Sequence, residues 1–294
     1  MKRVLLFLVT NIAVMVTLTV VANLLCAFLG TSVAEVVGPE WADLVIFAFV
    51  YGMLGAFVSL LMSKPMAKFA CGAQTIDGSE GEAERWLVAT VEDLARRANV
   101  KMPEVAIYPG AANAFATGAF KNSALVAVST DIMRQMSKEE LRAVLGHEMS
   151  HVANGDMVTL TLVQGVLNAF VIVFSRVLAS VLANSGKGEN RRSNDGLYFL
   201  MVMVLQIGLG ILASLVVMWF SRKREYAADA GSARLLGSPS SMIAALRRLG
   251  NLQPGTLPDS LKAMGIAEGK RTSIWATHPS LEDRIEALQM TTLM

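Results

Sequence analysis

Charged residues are missing from four stretches of this chain: Val4 to Ala34, Leu44 to Ser63, Met157 to Ser175 and Gly196 to Ser221. A helix needs ~20 apolar residues to cross a hydrocarbon core of ~30 Å, so each stretch predicts a spanning helix. The third is the most polar, with Gln164 and Asn168 inside it. Nearly all the charge and all three histidines fall in the remaining segments. The pattern divides the chain into two N-terminal spanning helices (1–63), a first polar part (64–156), an apolar hairpin (157–221) and a second polar part (222–294).

Inside the polar parts the periodicity changes. Ser79 and Glu82 have capping-box spacing, and Trp86, Leu87, Leu94 and Ala98 follow at helical intervals. Strands are expected over Val105–Tyr108, Asn113–Phe120 and Ala124–Ser129, with a Pro-Gly turn before the second. Ser137 and Glu140 form a second capping box, opening a helix that should stop at Asn154-Gly155. Leu252–Gly269, rich in turn residues, is the candidate flap.

Composition narrows the class. Hydrophobic residues make up 53% and charged residues 17%, against roughly 25% charged in soluble domains. With a mean hydropathy of +0.48, this excludes disorder, a coiled coil and a disulfide-stapled module. A net charge of +2 gives no reason to expect a nucleic-acid partner. Cys26 and Cys71 are expected to be free thiols in a reducing compartment. The first apolar run far exceeds the ~7–15 residues of a signal h-region, so it is read as an uncleaved anchor. Lys2 and Arg3, Lys64 and Lys68, and Arg222-Lys223-Arg224 flank the runs on one side, putting both termini and both polar parts in the cytoplasm. Lys187, Arg191 and Arg192 break that pattern: either their loop crosses despite its charge, or the hairpin does not fully span.

The helix after Ser137 contains His147-Glu148-Met149-Ser150-His151. Histidines at i and i+4 share one face, so two imidazoles can meet one zinc. Glu148 can then act as general base on a water activated there. A third protein ligand is needed, and Glu225 with Asp229 offers a carboxylate pair on one helical face. Glu225 could ligate while Asp229 accepts the free N–H of a ligand histidine; alternatively, both pair with the basic triplet on a solvated face.

These residues point to a family. The HEMSH helix with Val152-Ala153-Asn154-Gly155-Asp156 after it, the apolar pair and Glu225–Asp229 together resemble the HtpX-type membrane zinc metalloproteases, relatives of the CAAX prenyl endopeptidases and of the mitochondrial stress protease Oma. The resemblance implies an α+β metallopeptidase domain of HExxH zincin type, mostly helical with a small edge-strand sheet, joined to a four-helix transmembrane region. It implies one Zn2+ per subunit, ligands His147, His151 and Glu225, Glu148 as base and Asp229 behind the ligands. Asn113, Ala114 and Phe115 resemble the strand edge that binds substrate in such peptidases, where Asn113 alone would read as a turn residue. His278-Pro279 resembles the family's late HP element: His278 could donate to the oxyanion with Arg284 positioning it, or it simply caps the helix that follows.

The implied function is endoproteolysis of misfolded or damaged membrane proteins at the cytoplasmic face of a bacterial inner membrane, in quality control under stress. The expected partners are the lipid bilayer and membrane-protein or unfolded polypeptide substrates. His151 precedes the third run by a few residues and Glu225 follows the fourth by a few, so the metal should lie within roughly 10 Å of the membrane surface. Two rivals are a prenyl-protein processing protease and a non-proteolytic membrane zinc sensor or adapter.

Overall fold

The computed structural model describes residues 16, 19–21, 23–24, 26–28, 30–33, 41–185, 195–252 and 278–291. The elements in chain order are α1 (Trp41–Cys71), β1 (Gln74–Ile76), α2 (Glu82–Arg97), β2 (Glu104–Tyr108), β3 (Ala114–Thr117), β4 (Leu125–Ser129), α3 (Thr130–Gln135), α4 (Lys138–Asn154), α5 (Asp156–Ser185), α6 (Asp195–Leu236), α7 (Ser240–Asn251) and α8 (Leu281–Thr291). The chain divides into two compact units, one of Met1–Val58 and Thr161–Val217, the other of Ser59–Leu160 and Met218–Met294.

The first unit is helical and apolar. Among the described residues three helices are long and apolar enough to cross a membrane, over Trp41–Cys71, Asp156–Ala183 and Gly196–Leu236. The fourth expected span, Val4–Ala34, falls largely outside the described residues, although those from Val16 to Phe28 are helical. Small residues bring α1 against α5: a Cβ on Gly52 would lie 2.8 Å from the Ala169 backbone nitrogen. Without a hydrophobic drive between helices in lipid, close backbone approach of this kind supplies the packing. Ala48, Ala169, Val173 and Val177 are buried in that contact. By contrast α6 leaves Leu197, Phe199, Val204, Ile207 and Leu212 exposed, the surface of a helix that meets lipid.

The second unit is built on a mixed four-stranded sheet of order β1-β2-β4-β3, in which only β2 and β4 are parallel. Both faces are buried. Val105, Ala114, Ala116, Val126 and Val128 face the main core with α2 and α4, while Ala106, Tyr108, Phe115, Leu125 and Ala127 face Ala67 and Cys71 of α1. A sheet covered on both sides explains why β4 is a continuous apolar run rather than an alternating one. Lys64 and Lys68 of α1 both pair with Glu104 at the start of β2.

The capping box at Ser137 forms, with Glu140 N–H donating to Ser137 Oγ at 3.2 Å and Ser137 N–H to Glu140 Oε2 at 2.9 Å. That at Ser79 does not. Gly81 holds the N-cap position of α2 with no side-chain cap. The Glu80 carboxylate instead accepts from the Asp77 and Gly78 amides, and Ser79 N–H donates to Asp77 Oδ1. The local acids make a tight turn there and leave the helix to start two residues later. Strand β1 carries no apolar alternation and was not expected. Both cysteines are free. Of the expected flap only Leu252 is described.

Candidate active site

Helix α4 is enclosed along most of its length, with Leu141 and every residue from Ala143 to Val152 buried. Its two histidines face the C-terminal part of α6. Small residues allow the approach: Ser232 Oγ donates to the Ala143 carbonyl at 2.7 Å, beside Gly146, and Gly231 lies against Ser150. This crossing brings Glu225, one turn and a half before Gly231, to the histidines. His147 Nε2 and His151 Nε2 are 3.0 Å apart, with the Glu225 carboxylate oxygens 3.4 and 3.3 Å from them. All three residues are buried.

Asp229 lies one turn beyond Glu225 and takes His147 Nδ1 at 2.8 Å. It is held by Arg284 of α8, which donates from Nε to Oδ2 at 2.8 Å and from Nη2 to Oδ1 at 2.7 Å. Arg284 is 0% exposed, and its Nη1 lies 3.5 Å from Glu225 Oε2. The solvated-face alternative for Glu225 and Asp229 is therefore excluded by their burial. His278 is also buried, with Nδ1 2.9 Å from Glu225 Oε2. Ser280 performs the capping that the sequence left open for His278, accepting from the Asp283 N–H at 3.0 Å.

The hydrogen bonds of His147 fix its chemistry. With Nδ1–H donated to a carboxylate, Nε2 keeps its lone pair. The Nδ1 of His151 is likewise on a carboxylate, Asp156. Two imidazole lone pairs and a carboxylate thus converge, an arrangement that suits a cation. Burial alone would push the His147 pKa down, but the Asp229 hydrogen bond and the Glu225 charge outweigh it and raise it.

Glu148 is buried on the side of α4 nearest the sheet. Burial pushes its carboxyl above the usual carboxylate range, against the opposing effect of the two histidines and of the Ala116 N–H that donates to it. Ala116 belongs to β3, which pairs only with β4 and forms the edge of the sheet. Ser129 N–H donates to the Asn113 carbonyl at 2.9 Å. By alternation along an antiparallel pair, Phe115 then faces β4, and Ala114 and Ala116 present their amides outward. The outward Ala114 N–H is met by Asn113 Oδ1 at 2.9 Å. The Phe115 side chain is core, 5.5 Å from the Tyr108 ring between centroids. A groove beside this edge is lined by Thr117, Phe120, Val152, Met157 and Val158 together with His151.

Sequence reasoning named Asp156 and Arg224 but missed their contacts at His151, and it missed the Gly146–Ser150 contact face. The available signal was Gly155, whose place after the last helical turn forecasts a reversal that carries Asp156 back over α4.

Two buried imidazoles and a carboxylate that could hold a metal ion, with a further buried carboxylate beside a sheet edge, fit the class of metal-dependent hydrolases. Known proteins narrow this class. Residues 82–292 match Peptidase family M48. The Protease HtpX homolog of Verminephrobacter eiseniae (strain EF01-2) is 52% identical over 294 residues, with 98% of each chain covered. That of Janthinobacterium sp. (strain Marseille) is 50% identical over 290 residues, covering 98% of this chain and 99% of the relative. Among solved structures, S. mikatae Ste24p shares the fold with a TM-score of 0.54 at 20% identity, covering 83% of this chain. This chain spans about half, 56%, of that larger protein. The chain belongs to peptidase family M48, and it is a membrane metalloendopeptidase.

Proposed function

We propose that the protein is a zinc endopeptidase of a bacterial inner membrane that cuts misfolded or damaged membrane proteins at the cytoplasmic face, as part of quality control under stress. The proposed ligands are His147, His151 and Glu225. The reading rests on one observation: two buried imidazole nitrogens 3.0 Å apart, each with one oxygen of the buried Glu225 carboxylate 3.4 or 3.3 Å away, their lone pairs turned inward. Ligand atoms around a tetrahedral zinc at ~2.0–2.1 Å lie roughly 3.3 Å apart, so the donor set fits that ion. Residues 1–63 and 157–221 would form the membrane part and residues 64–156 and 222–294 the catalytic part. The distribution of Lys and Arg around the apolar runs supports the cytoplasmic orientation.

A bound zinc supplies a Lewis acid that makes water acidic near neutral pH and polarises a carbonyl. Glu148 takes the proton of the attacking water and passes it to the leaving nitrogen. Its raised pKa suits both halves of that task, because a base that must also return a proton works best near the ambient pH. Asp229, braced by Arg284, fixes the tautomer of His147. An extended substrate pairs with the outer edge of β3 as an added strand through the outward carbonyls of Ala114 and Ala116, whose amides already donate to Asn113 Oδ1 and Glu148, with Asn113 and Phe115 holding the edge in place. Recognition through backbone groups gives broad sequence tolerance. His278 donates to the oxyanion on the attacked carbonyl.

The test compares wild type with Glu148→Gln in detergent, on an unfolded membrane-protein substrate, with zinc measured in both. Glu148→Gln is expected to keep its zinc and to lose at least about 100-fold in cleavage, the lower end of what a general base contributes. Equal cleavage by the two proteins would remove Glu148 from the mechanism.

A further inference from the structure

His147 and His151 each rest their Nδ1 on a buried aspartate, yet the two aspartates come from different parts of the chain. His147 uses Asp229 and Arg284. His151 Nδ1–H donates to Asp156 Oδ2 at 2.6 Å. Arg224 Nη2 lies 3.0 Å from that same oxygen, and Arg224 Nη1 donates to the Asp156 backbone carbonyl. We propose that Asp156 and Arg224 are positioning residues for the metal: they hold His151 in the tautomer and orientation that aim Nε2 at the cation. This role rests on the proposed ligand set.

The local chain path makes the contact possible. In an uninterrupted helix a residue five positions on is rotated about 140° from its starting point, so Asp156 would point away from His151. Gly155 ends α4 in the left-handed region at φ 71°, and this corner turns the chain back so that Asp156 meets the last turn of α4. Asp156 is also the first residue of α5, where the helix dipole favours its negative charge. It is 6% exposed, so water competes little for its oxygens. An anionic acceptor at Nδ1 makes the imidazole a stronger ligand and blocks the tautomer that could not bind.

Arg224 gives the arrangement its second constraint. A buried carboxylate beside an imidazole needs a counter-charge, and Arg224 supplies it from the position next to Glu225 on α6. One segment of α6 therefore delivers the third ligand and braces the second. The two clamps are alike in chemistry, His–Asp–Arg, but the clamp on His151 draws on the first turn of α5 and on α6, and that on His147 on α6 and α8.

The experiment measures zinc affinity by chelator competition on the full-length enzyme in detergent, for wild type, Asp156→Asn, Arg224→Met and Arg224→Lys. The absorption spectrum of each cobalt-loaded protein reports ligand geometry directly. Asp156→Asn is expected to bind zinc roughly 10–100-fold more weakly, the usual cost of losing a ligand's outer partner, and to shift the cobalt bands. Arg224→Met should move both in the same direction, with Arg224→Lys recovering part of the loss. Wild-type affinity and an unshifted spectrum in Asp156→Asn and Arg224→Met would overturn the role, even if the metal-free proteins melted at lower temperature. Should Asp156→Asn fail to fold, the two Arg224 variants decide. A wild type that holds neither ion would instead overturn the ligand set beneath the proposal.

Discussion

At His147 a proton and a metal ion compete for the same lone pair. The Asp229 hydrogen bond and the Glu225 carboxylate together lift its pKa above the usual imidazole value despite burial. A group whose pKa is raised stays protonated to higher pH, and the protonated ring cannot ligate. Metal affinity is therefore expected to rise with pH up to the raised pKa and to fall below it, by roughly tenfold per unit for one displaced proton. Chelator competition between about pH 6 and 8.5 checks this, and a flat profile would show that no proton is exchanged at the site. The same reasoning explains Arg284. A guanidinium with 0% exposure is tolerable only because Asp229 and Glu225 surround it with negative charge.

The crossing of α4 and α6 decides whether the donors meet, and it depends on residues without chemistry of their own. A Cβ on Gly231 would lie 2.7 Å from Ser150 Cβ. Alanine there gains about 1 kcal/mol of helix propensity but forces an overpacked contact costing typically 1–3 kcal/mol, so the contact wins. Gly231→Ala is expected to lower the melting temperature and loosen zinc together, with Ser150→Gly restoring part of both; a rise in melting temperature would contradict the tight crossing. The crossing also marks how far the sequence could be read. The helix carrying both histidines, its capping box and its stop at Gly155 were legible because local hydrogen bonds and a 3.6-residue period encode them. The three strands after Pro103 were legible to within a few residues, helped by the turn residues between them. The Ser79 box was misread, since Asp77 and Glu80 stand three residues apart just as Ser79 and Glu82 do. Asp156, Arg224 and Arg284 could be counted from sequence but not joined. Their contacts depend on how helices distant in sequence approach one another, and no local period records that. Arg284 is a candidate through family resemblance, whereas the contacts of Asp156 and Arg224 with His151 exist only in the folded arrangement of α4, α5 and α6.

At the scale of the whole chain, the proposed donors stand at the edges of apolar stretches. His151 lies five residues before α5 begins, and Glu225 belongs to the same continuous helix as the lipid-like surface of Leu197 to Leu212. Substrates that reach the bilayer surface should therefore be favoured over those arriving from solution. Cleavage of one substrate segment is expected to be several-fold faster when it is anchored in proteoliposomes with the enzyme than when it is supplied as a soluble peptide. Equal rates at matched local concentration would remove the membrane from the account of specificity. The unbroken course of α6 has a further consequence, in time rather than space. Synthesis makes His147 and His151 first, then the whole hairpin, and only then Glu225, Asp229 and Arg284. Until the last apolar stretch has been made, the nascent chain has two of its three donors and neither the aspartate nor the arginine that steadies His147. The order of residues along the chain thus delays completion of the cutting site until the means of holding it at a membrane already exist.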